Sequence, residues 1–232
     1  MTAIHEAVVA GRFDALRDRF KAEVAADDPR LLAIIERLSP LAGRRVLDLG
    51  CGKGRFGRSL GERGAQVIGL DLSAGMLALA AGLPRVRASA RRLPFGPASF
   101  DAALAVEVFE HLAPEALDHV CGEVLRVLKP GGTFVVVDKN ACSWNARRPW
   151  LPSLAVKWID ERRGLWMYSH RDPVRERWFG PWALKRRLGR WFPEVRVWHL
   201  LSRNEEGRFP FRWVPAARLL VLWSARAPGG SA

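Results

Sequence analysis

Apolar residues recur through residues 5–38 at steps of three and four, with Val9, Phe13, Leu16 and Phe20 on one stripe, which predicts a helical N-terminal segment. Asp27-Asp28-Pro29 reads as a stop followed by a fresh helix start, with proline in the first turn. After Gly43 the texture changes to short, continuous apolar runs. Residues 45–49, 66–70, 85–88, 100–105 and 133–138 are candidate strands, and helical stretches lie between most of them. The longest of these, 114–128, closes on Lys129-Pro130-Gly131-Gly132 as a stop and turn. This alternation predicts an α/β fold, a parallel sheet with helices on both faces. Unbroken runs such as Phe134-Val135-Val136-Val137 fit strands covered on both sides.

Residues 141–180 break the rhythm with tryptophans, prolines and arginines before a helix at 182–191 and strands at 194–201 and 218–224 restore it. Forty residues are too few for an independent core, and linkers are poor in tryptophan. The segment is therefore read as an insertion over the sheet. The expected organisation is one domain over 1–232: a core at 44–140, a lid at 141–180, and a helix with strands at 181–226 completing the sheet. Within the lid, residues 149–163 predict an amphipathic helix with Leu151, Leu154, Ala155, Trp158 and Ile159 on its apolar face. That face could wall an apolar pocket, lie on anionic lipid, or join a nucleic-acid surface. The lid reading is preferred and the nucleic-acid reading ranks last.

Composition narrows the classes. A chain of 232 residues that is 49% apolar can bury one sizeable core. No apolar run reaches the roughly eighteen residues of a membrane span. The first twenty residues mix Glu, Asp and Arg without an apolar centre, unlike a secretory signal. Three cysteines are too few for a disulfide framework or a zinc cluster. A cytoplasmic address is expected, with a peripheral position at a membrane left open. The tail at 228–232 is the one low-complexity stretch.

The net charge of +13 is unevenly placed. Residues 1–140 hold 19 basic and 17 acidic side chains, whereas 141–232 hold 18 and 7, together with all ten tryptophans. Genome composition could account for 31 arginines against 6 lysines, but not for the loss of acidic residues in one half. An anionic partner is therefore a question about the second half only.

Candidate chemistry begins at Gly50-Cys51-Gly52-Lys53-Gly54, where a buried strand feeds a turn that bares backbone N–H groups at a helix start. Asp71 ends the next run, placed to accept both hydroxyls of a ribose, although it could equally serve a helix cap beside Ser73. Order and spacing together point to an adenosine-containing cofactor. The G-x-G-x-x-G pattern of a dinucleotide site is nominally met at 52, 54 and 57.

Four stretches in sequence, VLDLGCGKGRF, VIGLDLSAGML, RLPFGPASFDAALAVEVFEHL and VLRVLKPGGTFVVVD, resemble the successive motifs of class I S-adenosylmethionine-dependent methyltransferases over residues 44–139. The resemblance implies a Rossmann-like, seven-stranded, mostly parallel sheet with an antiparallel last strand. It also implies methyl transfer from S-adenosylmethionine. Carried over position by position, Asp48 orients the turn and the amino-acid end of the cofactor. Gly50, Cys51 and Gly52 line its methionine part, Asp71 holds the ribose, and Leu72 with Met76 flanks the adenine. Ser89 and Ala90 stand at the adenine edge, where the family often has Asp or Asn. Val106 and Glu107 face the sulfonium.

Glu107-x-x-Glu110-His111 resembles a cluster in two metal-dependent groups of that superfamily, the ubiquinone-pathway O-methyltransferases and the small-RNA 2′-O-methyltransferases. Glu107, Glu110 and His111 are thus candidate ligands for Mg²⁺ or Zn²⁺. Glu-His-Leu here also occurs in metal-free relatives, and there His111 is the candidate general base, with Glu110 beside it. The expected reaction is O-methylation of a small aromatic, quinone-like or sugar-like acceptor. The alternatives are N-methylation of a small molecule, RNA 2′-O-methylation, and a non-catalytic cofactor-binding protein.

Overall fold

The computed structural model describes residues 2–229, so the end of the low-complexity tail, Gly230-Ser231-Ala232, lies outside the described residues. Two helices come first. Thr2–Leu16 (α1) runs into a short 3-10 turn, and Pro29–Leu38 (α2) starts afresh where Asp28 accepts a hydrogen bond from the Arg30 N–H. The predicted break at 27–29 is present, but the helix before it ends at Leu16, eleven residues short of Asp27, and Phe20, the last residue of the apolar stripe, sits beyond it in extended backbone.

The apolar runs form the sheet. Arg45–Leu49 (β1), Gln66–Asp71 (β2), Arg85–Arg87 (β3), Phe100–Val106 (β4) and Leu128–Lys139 (β5) are parallel. Arg55–Gly61 (α3), Ala74–Ala78 (α4) and Ala116–Val127 (α5) connect them. A two-stranded hairpin of Trp144–Asn145 (β6) and Arg148–Pro152 (β7) follows, then Ser153–Arg162 (α6) and Pro181–Leu188 (α7). Glu194–Leu200 (β8) and Leu220–Arg226 (β9) return to the sheet. The order is β3-β2-β1-β4-β5-β9-β8, with β9 antiparallel to both neighbours, as the resemblance implied.

Each face of the sheet has its own apolar layer. One is built on Phe100, Phe134, Phe192 and the fully buried Trp223; the other packs Leu31, Ile34 and Leu38 of α2 against Val46 and Leu104. Trp223 satisfies its indole N–H on the Pro181 carbonyl at 2.8 Å, so burial costs it no hydrogen bond. Among the described residues no helix is long and apolar enough to cross a membrane.

The amphipathic face predicted for α6 is inverted. Ser153, Lys157 and Glu161 are the buried side chains of this helix, while Leu154 and Trp158 are exposed. Lys157 and Glu161 bond to each other one turn apart, and the ammonium lies near the rings of Trp166 and Trp178. A paired charge over aromatic rings is a tolerable burial. Nothing in the local periodicity reveals that choice.

Candidate active site

Parallel order β2-β1-β4 reverses direction between β1 and β4, and ligands of such sheets sit outside the carboxyl ends at that point. A cavity of about 510 Å³ opens there, roofed by α1. Its floor is the turn after β1. Gly50 and Gly52 hold φ of +67° and +55°, and a Cβ on Gly50 would stand 2.5 Å from Val108 Cγ2. The N–H groups of Gly50 and Cys51 donate to the Leu70 carbonyl, which locks the turn to β2. Asp48 is buried beneath it, accepting the Gly57 N–H at 3.1 Å, and burial pushes its carboxyl up to about 7.

At the end of β2 the two oxygens of Asp71 accept the N–H groups of Gly52 and Ser73, each at 2.8 Å. Burial raises this carboxyl as well. Each oxygen keeps a further lone pair for a ligand hydroxyl. Leu72, Met76, Ala90 and Val106 line the same chamber. Ser89 does not: its hydroxyl donates to Glu6 of α1 at 2.6 Å and accepts the Arg91 N–H, so Ala88 and Ala90 form the wall on either side of it. The adenine-edge position carried over to Ser89 is therefore turned away from the cavity.

Beyond β4 the cavity becomes a second chamber. Glu107, in left-handed backbone at φ +57°, is held by Arg30 at 3.0 Å and Arg55 at 3.1 Å. These arginines and Lys139 hold its carboxyl below the usual range against the opposing pull of burial. Glu110 and His111 follow on a 3-10 turn, and the Glu110 N–H donates to the buried Asp138 carboxyl at 3.1 Å. Glu110 is 1% exposed and binds Lys139, which also reaches Glu176 at 2.9 Å. Burial works to raise the Glu110 carboxyl, but Lys139 and then His111 outweigh it and bring it to about 2. His111 Nε2 lies 3.4 Å from Glu110, and Nδ1 lies 3.3 Å from the Tyr168 hydroxyl. Phe13 of α1 meets the imidazole edge-on at 5.0 Å, and His5 donates to the His111 carbonyl at 2.8 Å. Val9, Phe13, Leu112, Leu165, Trp166 and Met167 supply apolar walls.

Residues 47–136 match a family model described as a methyltransferase domain. A solved S-adenosylmethionine-dependent methyltransferase from Mesorhizobium loti superposes with a TM-score of 0.63 at 25% identity, over 89% of this chain and all of that one. Residues 47–136 are an S-adenosylmethionine-dependent methyltransferase domain.

This methyltransferase domain has curated relatives of partial extent. A ubiquinone biosynthesis O-methyltransferase from Paracidovorax citrulli is 38% identical over 127 residues, 49% of this chain and 52% of the relative. An uncharacterized methyltransferase from Synechocystis sp. is 39% identical over 128 residues, 53% of this chain and 58% of the relative. The chain thus spans little more than half the length of these relatives.

The methyltransferase domain fits its cofactor where the fit can be checked. Gly50 and Gly52 form a cradle that side chains would fill, and Asp71 faces it with unused acceptor capacity. The metal expectation does not survive the same test. Glu107 is spent on two guanidiniums and Glu110 on the Lys139 ammonium, so a cation already neutralises the cluster. Among the described residues no three His, Cys, Asp or Glu side chains converge on one point. Glu107, Glu110 and His111 are neighbours, but they are not a divalent-ion site.

Sequence reasoning missed Lys139, Glu176, Tyr168 and Arg55. Lys139 carried a usable signal, since it ends a parallel strand on the ligand side of the sheet. Glu176 and Tyr168 come from the irregular 163–180 stretch, which has no period to read. His5 also touches the site, lining the cavity beside His111.

Proposed function

We propose that this protein is an enzyme that methylates a hydroxyl oxygen of an apolar, aromatic or quinone-like small molecule, with His111 as general base. The observation that carries the reading is the place of His111, at the junction of the glycine-floored chamber and the apolar one. The name of the Paracidovorax citrulli relative, a ubiquinone biosynthesis O-methyltransferase, supports an oxygen acceptor of quinone type. When bound, S-adenosylmethionine supplies an electrophilic methyl group and leaves as S-adenosylhomocysteine.

The chain's own contribution is placement. Asp71 takes the ribose hydroxyls, while Gly50, Cys51 and Gly52 admit the methionine part against backbone. Asp48 sets negative charge along the cationic end of the cofactor once it gives up its proton, while Glu107 stays paired with Arg30 and Arg55. Leu72 and Met76 bracket the base. The acceptor's ring lies against Phe13 and Trp166, which holds its hydroxyl oxygen in line with the methyl group. As the new C–O bond forms, the hydroxyl proton passes to the Nε2 lone pair of His111, whose Nδ1–H donates to the Tyr168 oxygen. Glu110 and Tyr168 fix the tilt of the imidazole, and Glu110 places negative charge beside the ring once it carries the proton.

His111→Gln should lower kcat by about 10²–10⁴-fold on a catechol or quinol acceptor with labelled cofactor. S-adenosylhomocysteine affinity should stay unchanged in calorimetry. Turnover of this variant within a few-fold of wild type would remove His111 from the role, and no heat with S-adenosylhomocysteine would remove the cofactor reading itself.

A further inference from the structure

The inverted α6 is one part of a larger exposed surface. Leu154 and Trp158 lie outward at 41% and 54% exposure, and the β6–β7 hairpin adds Trp144 and Trp150. The segment before β9 adds Phe209 and Trp213, both about three-quarters exposed. Arg208 Nη1 donates to the Ala146 carbonyl at the hairpin turn at 2.8 Å, which joins the two stretches. Arginines interleave with these rings: Arg147, Arg148, Arg162, Arg163, Arg208 and Arg212 are all exposed. The Arg162 guanidinium stands over the Trp158 ring at 4.2 Å and that of Arg212 over Trp213 at 5.6 Å. Among the described residues of 144–165 and 205–214, Glu206 is the one exposed carboxylate.

We propose that this face docks on an anionic lipid bilayer, with the aromatic rings at headgroup depth and the arginines on lipid phosphates. Large apolar side chains left in water on a helix whose polar face is buried need an apolar or interfacial medium to cover them. Tryptophan is suited to that depth because its ring is apolar and its N–H polar. The unbalanced positive charge selects an anionic surface. Two copies facing each other through this face would bring like charges together. Leu154, Leu165 and Val214 offer no π-face for a nucleic-acid base, and two of the rings are already covered by guanidiniums.

The surface reaches the cavity. α6 ends at Arg162, and Leu165, 67% exposed, lines the second chamber. An acceptor dissolved in the bilayer would enter beside Leu165; that consequence rests on the proposed acceptor class, whereas the docking does not.

The test is co-sedimentation of the full chain with phosphatidylcholine vesicles containing about one-third phosphatidylglycerol. We expect retention on these vesicles, little on pure phosphatidylcholine, and a fall as salt rises. Trp150→Ser with Trp213→Ser should lower the partition coefficient at least about tenfold, while the thermal shift with S-adenosylhomocysteine is unchanged. Equal retention of wild type and double variant would overturn the proposal, as would no retention on anionic vesicles. So would a lipid-free dimer that the double variant abolishes, or a gel shift with short RNA at concentrations where vesicles are not bound.

Discussion

Lys139 Nζ stands 2.9 Å from Glu176 Oε1, so the last parallel strand is tied to the segment over the cavity by an ion pair from which water is nearly excluded. The same ammonium holds Glu110, and the two tryptophans Trp166 and Trp178 donate their indole N–H groups to Glu176 at 2.8 and 2.6 Å. One lysine thus assembles the floor and the wall of the acceptor chamber.

Lys139→Met should leave two carboxylates, 1% and 3% exposed at their side chains, without a cation between them. Breaking a buried pair in this way costs about 3–5 kcal/mol, read as a lower midpoint in urea unfolding. Adding Glu110→Gln to that variant should restore part of the loss, because one of the stranded charges is then gone.

The same cluster gives an acid-side signature. Glu110 is held at about 2 against an ordinary 4.5, so its contribution is present above pH 4.5 and lost as pH falls toward 2. Wild type should therefore lose stability over that window more steeply than Glu110→Gln, measured by unfolding at stepped pH. Parallel curves would mean that Glu110 is not the group responsible.

Asp48 runs the other way. Burial raises its carboxyl from 3.8 to about 7, so its contribution to stability is full below pH 3.8 and has been lost once pH passes about 7. Asp48→Asn keeps the oxygen that accepts the Gly57 N–H and removes the charge. The cofactor-free variant should be more stable than wild type at pH 8, by roughly 2–4 kcal/mol, and little different at pH 4. A cationic ligand should draw the proton off Asp48. Calorimetry with S-adenosylmethionine near pH 6, in buffers of different ionisation heat, should show proton release in wild type and none in Asp48→Asn.

Gly50→Ala meets two obstacles, a φ of +67° and a Val108 methyl 2.5 Å from the new Cβ. The left-handed backbone alone costs about 1–2 kcal/mol. Cofactor affinity should fall more than tenfold, and Val108→Ala should recover only the part owed to the contact. Gly61→Ala, with open space around it, is the matched control and should bind normally.

Tyr168→Phe removes the hydroxyl 3.3 Å from His111 Nδ1 and leaves the packing in place. A loss in kcat of about tenfold is expected, with little change in KM. Combined with His111→Gln it should add almost nothing, since residues in one network are not additive. A further tenfold drop in the double variant would separate the two roles.

Much of the fold was legible because its signals are local. A buried parallel strand needs an unbroken apolar run, and a close turn needs glycine, so β1, β2 and β4 and the Gly50–Gly54 turn could be read to within a residue of their ends. By contrast, β5 begins at Leu128 and takes in the 129–132 stretch predicted as a turn, because it pairs there with β4. Asp71 followed from the strand that it closes, and Asp48 and Met76 from the resemblance. The extra chamber was less legible. Glu110 and His111 were read as potential metal ligands because their residue types allow it; whether a carboxylate is free for a metal depends on what stands opposite. Lys139, Arg30 and Arg55 arrive from other elements.

The sequence by itself determined the order of strands and helices, the cofactor turn, and the concentration of arginine and tryptophan in the second half, all properties of neighbouring residues. Only the tertiary structure decided which face of α6 points inward, which cation holds Glu110, and that Ser89 turns toward Glu6 and away from the cavity. The last two depend on contacts 29 and 83 positions apart, Lys139 with Glu110 and Ser89 with Glu6, and the first on Lys157 meeting the rings of Trp166 and Trp178 from an irregular stretch; no periodicity along the chain encodes them.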